Sequence, residues 1–338
     1  MLKKIEKVLV PIRFDLTVSK NIKFGIEIEA EGRDILSELY KVSKPECLSV
    51  LTNKDAWLLK SDLTVPNGAE ISSPILTFSD SKWDELLEVC NFFSENGLNP
   101  GEHTGLHIHL SSEDFLQDKY DLYNLLKFYA VYESVLYLFG TGEYVNYRTQ
   151  IYDRGALPMA YDIWRLFGRK AYHELVNDKL LPFLNFTYFK GLRLTNLLGS
   201  KETIEFRMAN GSLNLAIIQN FVNVYTHVFS YVLSDEYDDD LITRKFRELK
   251  HLNFNPHVEN YLNTSLEDLL EFADLIFDNE LDKLYFLRQC IKEPVKPGYG
   301  LQKAKTFYKK NLYFLRVKIL ILQILNTSIF ITMAFALA

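Results

Sequence analysis

Apolar and polar residues alternate along this chain with two different periods, and the changes of period mark its elements. In residues 23–29, Phe24, Ile26 and Ile28 interleave with Gly25, Glu27 and Glu29, the two-residue period of a half-buried strand. Strand-like runs recur at 69–76, ended by Pro74, and at 105–110. Two more, 192–197 and 203–208, are joined by a Gly199-Ser200 turn. Helical spacing takes over elsewhere. Residues 34–42 align Ile35, Leu39 and Val42. From a cap at Asp80 or Ser81, Leu86, Leu87, Cys90 and Phe93 share one face, and Gly97 stands where a C-cap belongs. Residues 120–139 hold Leu122, Leu125, Leu126, Tyr129, Tyr132, Leu136 and Phe139 in helical register, and 213–233 read as a second long helix. Residues 235–240 read as an acidic, solvated loop. Thr264-Ser265-Leu266-Glu267 has the form of a capping box that opens a helix to about Phe277.

This pattern predicts an α+β fold with the chemistry-bearing residues concentrated on strands. The expected organisation is a catalytic domain over residues 1–233, a helical region over 234–318 and an apolar tail over 319–338. The tail contains no charged residue, and Gln323 and Asn326 are its only strongly polar side chains. As a helix rising about 1.5 Å per residue it reaches the length of a hydrocarbon core about 30 Å thick. Lys309, Lys310, Arg316 and Lys318 precede it, as suits a cytoplasmic flank. The tail is therefore a candidate membrane anchor, the alternative being a buried terminal helix or strand. At the other end, the apolar run 8–12 is too short for a secretory signal, which points to a cytoplasmic protein.

Composition narrows the function by exclusion. The chain has 338 residues and a formal net charge of -6, so it lacks the basic excess of a general nucleic-acid binder. Its three cysteines, Cys47, Cys90 and Cys290, are far apart and form no CxxC pair, against a disulfide framework or a thiolate zinc site.

Four segments carry the candidate chemistry. Side chains two apart on a strand share a face, so Glu27 and Glu29 project together. Two carboxylates side by side repel unless a cation or a proton neutralises them. Glu70 opens a strand after the Asn67-Gly68 turn, with Asp62 upstream. His107 and His109 share a face in Gly105-Leu106-His107-Ile108-His109-Leu110, and neutral imidazole is a good ligand for divalent metals. Glu205 and Arg207 share a face in Thr203-Ile204-Glu205-Phe206-Arg207, pairing a metal-type ligand with a guanidinium suited to phosphate. Each segment taken alone is also what a half-exposed strand would show. Together they suit Mg²⁺ or Mn²⁺. Neither a GxxxxGK[ST] nor a GxGxxG loop is present, so a nucleotide here would be held by metal ions and side chains.

In this order the segments FGIEIE (24–29), Asp62 with NGAEISSPIL (67–76), GLHIHLS (105–111) and TIEFRMANGSLN (203–214) resemble the amidoligase family, a branch of the carboxylate–amine ligases with glutamine synthetase and glutamate–cysteine ligase. The resemblance implies a glutamine-synthetase-type fold, a curved antiparallel sheet with flanking helices whose concave face carries metals. It implies Glu27, His107 and Glu205 as ligands of one Mg²⁺ or Mn²⁺, and Glu29 and Glu70 as ligands of a second. It implies His109 and Arg207 at the ATP phosphates, with Ser111 beside them, and Asp62 as an acid near the metal or the amine. Asn146-Tyr147-Arg148 and Arg193 fall where substrate-binding residues are expected, although the stretch 193–196 lacks the family's usual LNL pattern.

The implied reaction is ATP-dependent amide formation through an acyl phosphate, between a small-molecule or peptide carboxylate and an amine. Two other readings share these residues: a guanidino-kinase-like phosphotransferase of the same fold, and a non-catalytic nucleotide-binding scaffold.

Overall fold

The computed structural model describes residues 22–32, 57–60, 65, 68–101, 103–140, 156–167, 180–198, 201–249 and 264–291. The helix expected at 34–42, the Gly199-Ser200 turn and the tail 319–338 lie outside them. An antiparallel sheet organises the rest. Its strands are β1 (Phe24–Glu31), β2 (Leu58–Lys60), β3 (Gly68–Ser72), β4 (Gly105–Ser111), β5 (Leu192–Arg193) and β6 (Thr203–Asn210). They lie in the order β2-β3-β1-β4-β6-β5, which puts the motif-bearing β3, β1, β4 and β6 side by side.

The alternation seen in the sequence becomes two faces. Ile26 and Ile28 of β1, Ile71 of β3, Leu106, Ile108 and Leu110 of β4, and Ile204 and Phe206 of β6 are buried on one of them. Helices cover this face, chiefly α3 (Lys119–Gly140) and α6 (Leu215–Val232). Phe206 stacks on Tyr225 of α6 with ring centroids 4.1 Å apart, an aromatic contact that adds about 0.5–1.5 kcal/mol to the area it buries.

The helix of residues 80–95, α1 (Asp80–Glu95), starts at Asp80 itself, with extended Ser79 at the N-cap position in place of the expected Asp80 or Ser81. Gly97 adopts the left-handed φ of 75° that ends such a helix with little steric cost, as its position predicts. α2 (Glu113–Gln117) leads into α3, which kinks at the non-helical Tyr132, and α4 (Ala160–Phe167) packs on α3. Glu133 of α3 accepts the Met159 and Ala160 N–H groups at the start of α4, at 2.6 and 3.0 Å, filling buried donors that the helix cannot satisfy itself.

The run 192–197 is not one strand. After Leu192–Arg193 the chain tightens into a 3-10 turn at Thr195–Leu198, closed by Leu197 N–H to Leu194 O at 3.0 Å. It is preceded by α5 (Leu180–Phe186) and a second 3-10 turn at Thr187–Phe189. The acidic stretch 235–240 is only partly a loop. Asp238 caps α7 (Asp239–Glu248), and Asp239 and Asp240 sit in its first turn, where helix dipoles favour carboxylates. The capping box is shifted by one residue. Ser265, not Thr264, caps α8 (Leu266–Ile276) by accepting the Asp268 N–H at 3.0 Å.

A further helix, α9 (Glu280–Ile291), packs against α6, α3 and α8. Buried Lys127 of α3 pairs with Asp239, and Tyr132 bonds Glu271, so α7 and α8 are tied to the helix that backs the sheet. Among the described residues no helix is long and apolar enough to cross a membrane.

Candidate functional site

The other face of the sheet collects the acids, imidazoles and arginines. Pairing sets them in three rows across the strands. Arg193, Glu205 and His109 are successive register partners on β5, β6 and β4. His107, Glu27 and Ser72 follow on β4, β1 and β3. Glu29, Glu70 and Lys60 follow on β1, β3 and β2. Directly paired residues project to the same side, which is why groups distant in sequence meet. An irregularity in the β4–β6 pairing gives β6 one extra residue, with Arg207 and Met208 opposite the single His107 of β4. Such bulges re-aim side chains beside sites of chemistry.

At the centre, Glu27 and Glu205 flank the two imidazoles. His107 Nδ1 is 3.2 Å from Glu27 Oε2 and 3.7 Å from Glu205 Oε1. His109 Nε2 is 3.3 Å from Glu27 Oε1 and 4.0 Å from Glu205 Oε1. Arg207 Nη1 bonds Glu205 Oε1, while Arg193 Nη1 at 3.5 Å and Asn196 Nδ2 at 3.1 Å approach Glu205 Oε2. Thr203 Oγ1 lies 3.3 Å from His109 Nδ1 and orients that ring. Behind Glu29 the backbone of Gly105 donates to Oε2 at 2.6 Å. A Cβ on Gly105 would stand 3.2 Å from His107 Nε2 and 3.3 Å from that same oxygen, so glycine lets the strand lie close to both.

The electrostatics divide the acids. Burial works to raise the Glu27 carboxyl, but hydrogen bonds and charge from His107 and His109 outweigh it and hold Glu27 ionised, far below the ordinary carboxylate range. Glu205 is deeply buried too, and the Arg207 charge, with help from both histidines, keeps its carboxyl below the usual range. The ion pair raises Arg207 in return, against its own burial. Glu70 goes the other way. Burial and the Glu27 charge raise it, and the Lys60 ammonium only partly offsets them.

Glu27, Glu29, Glu70, His107, His109, Glu205 and Arg207, all named from sequence, thus come together on one surface. Ser111 ends the same strand face, where its Oγ accepts the Glu113 N–H at 3.5 Å. Asp62 and Asn146-Tyr147-Arg148 lie outside the described residues. Arg193 joins the cluster from the sheet edge, stacked 4.1 Å over the Tyr188 ring. Lys60, Ser72, Asn196 and Thr203 are contacts that the motifs did not single out. Thr203 could have been found from its two-residue offset to Glu205, whereas Asn196 sits in a 3-10 turn with no strand period to follow.

The donor set fits a hard or borderline divalent ion. Glu27, His109 and Glu205 each offer a ligand atom, all within 4.8 Å of one another. His109 Nε2 faces both carboxylates, 3.3 Å from Glu27 Oε1 and 4.0 Å from Glu205 Oε1, so one cation could be reached by all three. Carboxylate oxygens with one imidazole suit Mg²⁺ or Mn²⁺. The residues that could hold one ion together are thus Glu27, Glu205 and His109, where the resemblance implies His107, and His107 touches the same two carboxylates beside them.

Residues 48–227 match the family described as "Putative amidoligase enzyme". The match covers more than half of the chain, and the chain belongs to that family of ligase-type enzymes. No curated protein matches it.

Proposed function

We propose that the protein is an ATP-dependent carboxylate–amine ligase that uses Mg²⁺ or Mn²⁺, with a glutamine-synthetase-type sheet as its catalytic scaffold. The observation that carries the reading is the convergence of Glu27, His109 and Glu205 beside Arg207 and Arg193. Glu27, His109 and Glu205 would hold the ion, which would supply charge neutralisation for the phosphates of ATP. Arg207, fixed by Glu205, aims its planar fork at the phosphoryl oxygens and stabilises the charge that spreads over them during transfer. Thr203 holds the His109 ring in place, and Asn196 does the same for the Glu205 carboxylate. The phosphoryl group passes to a substrate carboxylate, and an amine displaces phosphate from the resulting acyl phosphate. The substrates are a small-molecule or peptide carboxylate and an amine.

ADP release, assayed with Mg²⁺ or Mn²⁺ across paired panels of acids and amines, tests the reading. A productive pair should release ADP, hydroxylamine in place of the amine should yield a hydroxamate, and Glu205→Ala should abolish both. Retained turnover in Glu205→Ala, or ADP release without any hydroxamate, would count against it, the latter in favour of a phosphotransferase.

A further inference from the structure

The cations of the acid face are not equally committed. Arg207 bonds Glu205, Lys60 Nζ lies 2.7 Å from Glu70, and Arg193 is bonded through Nε to Thr195 and stacked on Tyr188. Lys201 differs. Its Nζ stands 3.8 Å from Glu27 Oε1, beyond hydrogen-bond length, and its side chain is 62% exposed. His107 and His109 approach the same carboxylate more closely, at 3.2 and 3.3 Å. Among the described residues the ammonium has no other partner. So exposed a pair adds little to the resting cluster, and the donors of Lys201 are free to turn to an anion arriving from solvent.

The backbone beside Lys201 is fixed. Glu202 adopts a left-handed φ of 45°, which is strained for a residue with a Cβ. The N–H and hydroxyl of Ser112 both donate to the Glu202 carbonyl, at 3.1 and 2.6 Å, and Ser112 is fully buried just past the end of β4. Thr203, the next residue, meets the His109 ring at 3.3 Å. Lys201 therefore stands beside an anchored residue, with a flexible stem and its charged head at the solvent side of Glu27. A group that stands against a ligand of an ion also stands beside what the ion holds. A single divalent ion neutralises only part of a triphosphate's charge, which leaves work for a further cation.

We propose that Lys201 contacts the γ-phosphoryl group of ATP, its ammonium turning from Glu27 to the phosphoryl oxygens once the nucleotide is bound. The inference rests on the ligase reading and adds to it a residue that the motifs do not contain. Lysine suits the task, because a compact charge on a flexible stem can follow a group that moves, whereas the planar forks of Arg207 and Arg193 are held in place.

Calorimetric titration of the full-length protein in Mg²⁺ tests it, with adenylyl imidodiphosphate, a non-hydrolysable ATP analogue, and with ADP. Wild type should bind both. Lys201→Met, with its fold checked by circular dichroism, should bind the analogue roughly tenfold more weakly, the scale of one charged hydrogen bond at a wet site, and ADP as well as before. Lys201→Arg should keep most of the affinity for the analogue. Equal affinity for the analogue in wild type and Lys201→Met would overturn the inference, and so would a parallel loss for both nucleotides. Each of these leaves the ligase reading intact. Acid and amine are both left out, so a lysine that serves the substrate carboxylate would give the first of these results. Failure of wild type to bind the analogue would sink the ligase reading itself, and this inference with it.

Discussion

Replacing Glu205 by glutamine removes one negative charge and leaves the shape of the side chain almost unchanged, so its effect can be worked from the contacts. Glu205 is 1% exposed and serves Arg207 through one oxygen, and Arg193 at 3.5 Å and Asn196 at 3.1 Å through the other. At that Arg193 distance a unit pair attracts by about 5 kcal/mol in an effective dielectric of ~20. Two effects reduce the net loss. The arginine side chains keep some contact with water, and the substitution also relieves repulsion between Glu205 and Glu27. The cost should therefore fall near the lower end of the roughly 3–5 kcal/mol typical of breaking a buried pair. We expect Glu205→Gln to lower the unfolding free energy by about 3 kcal/mol in metal-free buffer. Urea unfolding followed by far-ultraviolet circular dichroism reads this as a midpoint shift of roughly 1 M, for a slope of ~3 kcal/mol/M. Turnover should fall about 10²–10³-fold, the scale of losing one preorganised electrostatic partner. A variant at least as stable as wild type without metal would refute the reasoning. It would mean that the acid cluster stores repulsion that the arginines do not cancel.

Two predictions concern the scaffold. Phe206→Ala should cost about 3–5 kcal/mol, because the ring is fully buried against Tyr225 and the sheet cannot collapse into the cavity, and thermal unfolding measures it. Burial pushes the Cys90 thiol up from its ordinary 9.0 to about 12, so the native state keeps it protonated over a range in which the unfolded chain ionises it. The linked stability is fully present below pH 9 and is lost as pH rises towards 12. Wild type should lose more stability than Cys90→Ala between those limits in urea titrations. Equal losses would exclude the thiol as a cause.

Much of the candidate site was legible from the chain, for a local reason. A strand with one wet and one dry face must alternate, so the pairs Glu27 and Glu29, His107 and His109, and Glu205 and Arg207 each declared a common side. The errors were local too. Thr264 and Ser265 are adjacent and both precede an acid by three residues, so the pattern alone could not separate the true cap from its neighbour. The run 192–197 carries strand-like residues, but Arg193 Nε donates to Thr195 Oγ1 at 2.8 Å and the chain closes into a turn there. The start of α9 went unread, although Asn279 accepts the Asp282 N–H at 2.9 Å as a helix cap does.

The sequence by itself determined which side chains share a strand face, that those faces are rich in acids and imidazoles, and the family to which the chain belongs. Which strands are neighbours was decided only by the tertiary structure. Glu27 meets His107, 80 residues further on, and Lys60 meets Glu70 because the short β2 adds to the edge of β3. The apolar face drives the sheet together without regard to the polar groups opposite. Register then settles which acid receives an imidazole, an arginine or a lysine, and with it where a metal ion can bind.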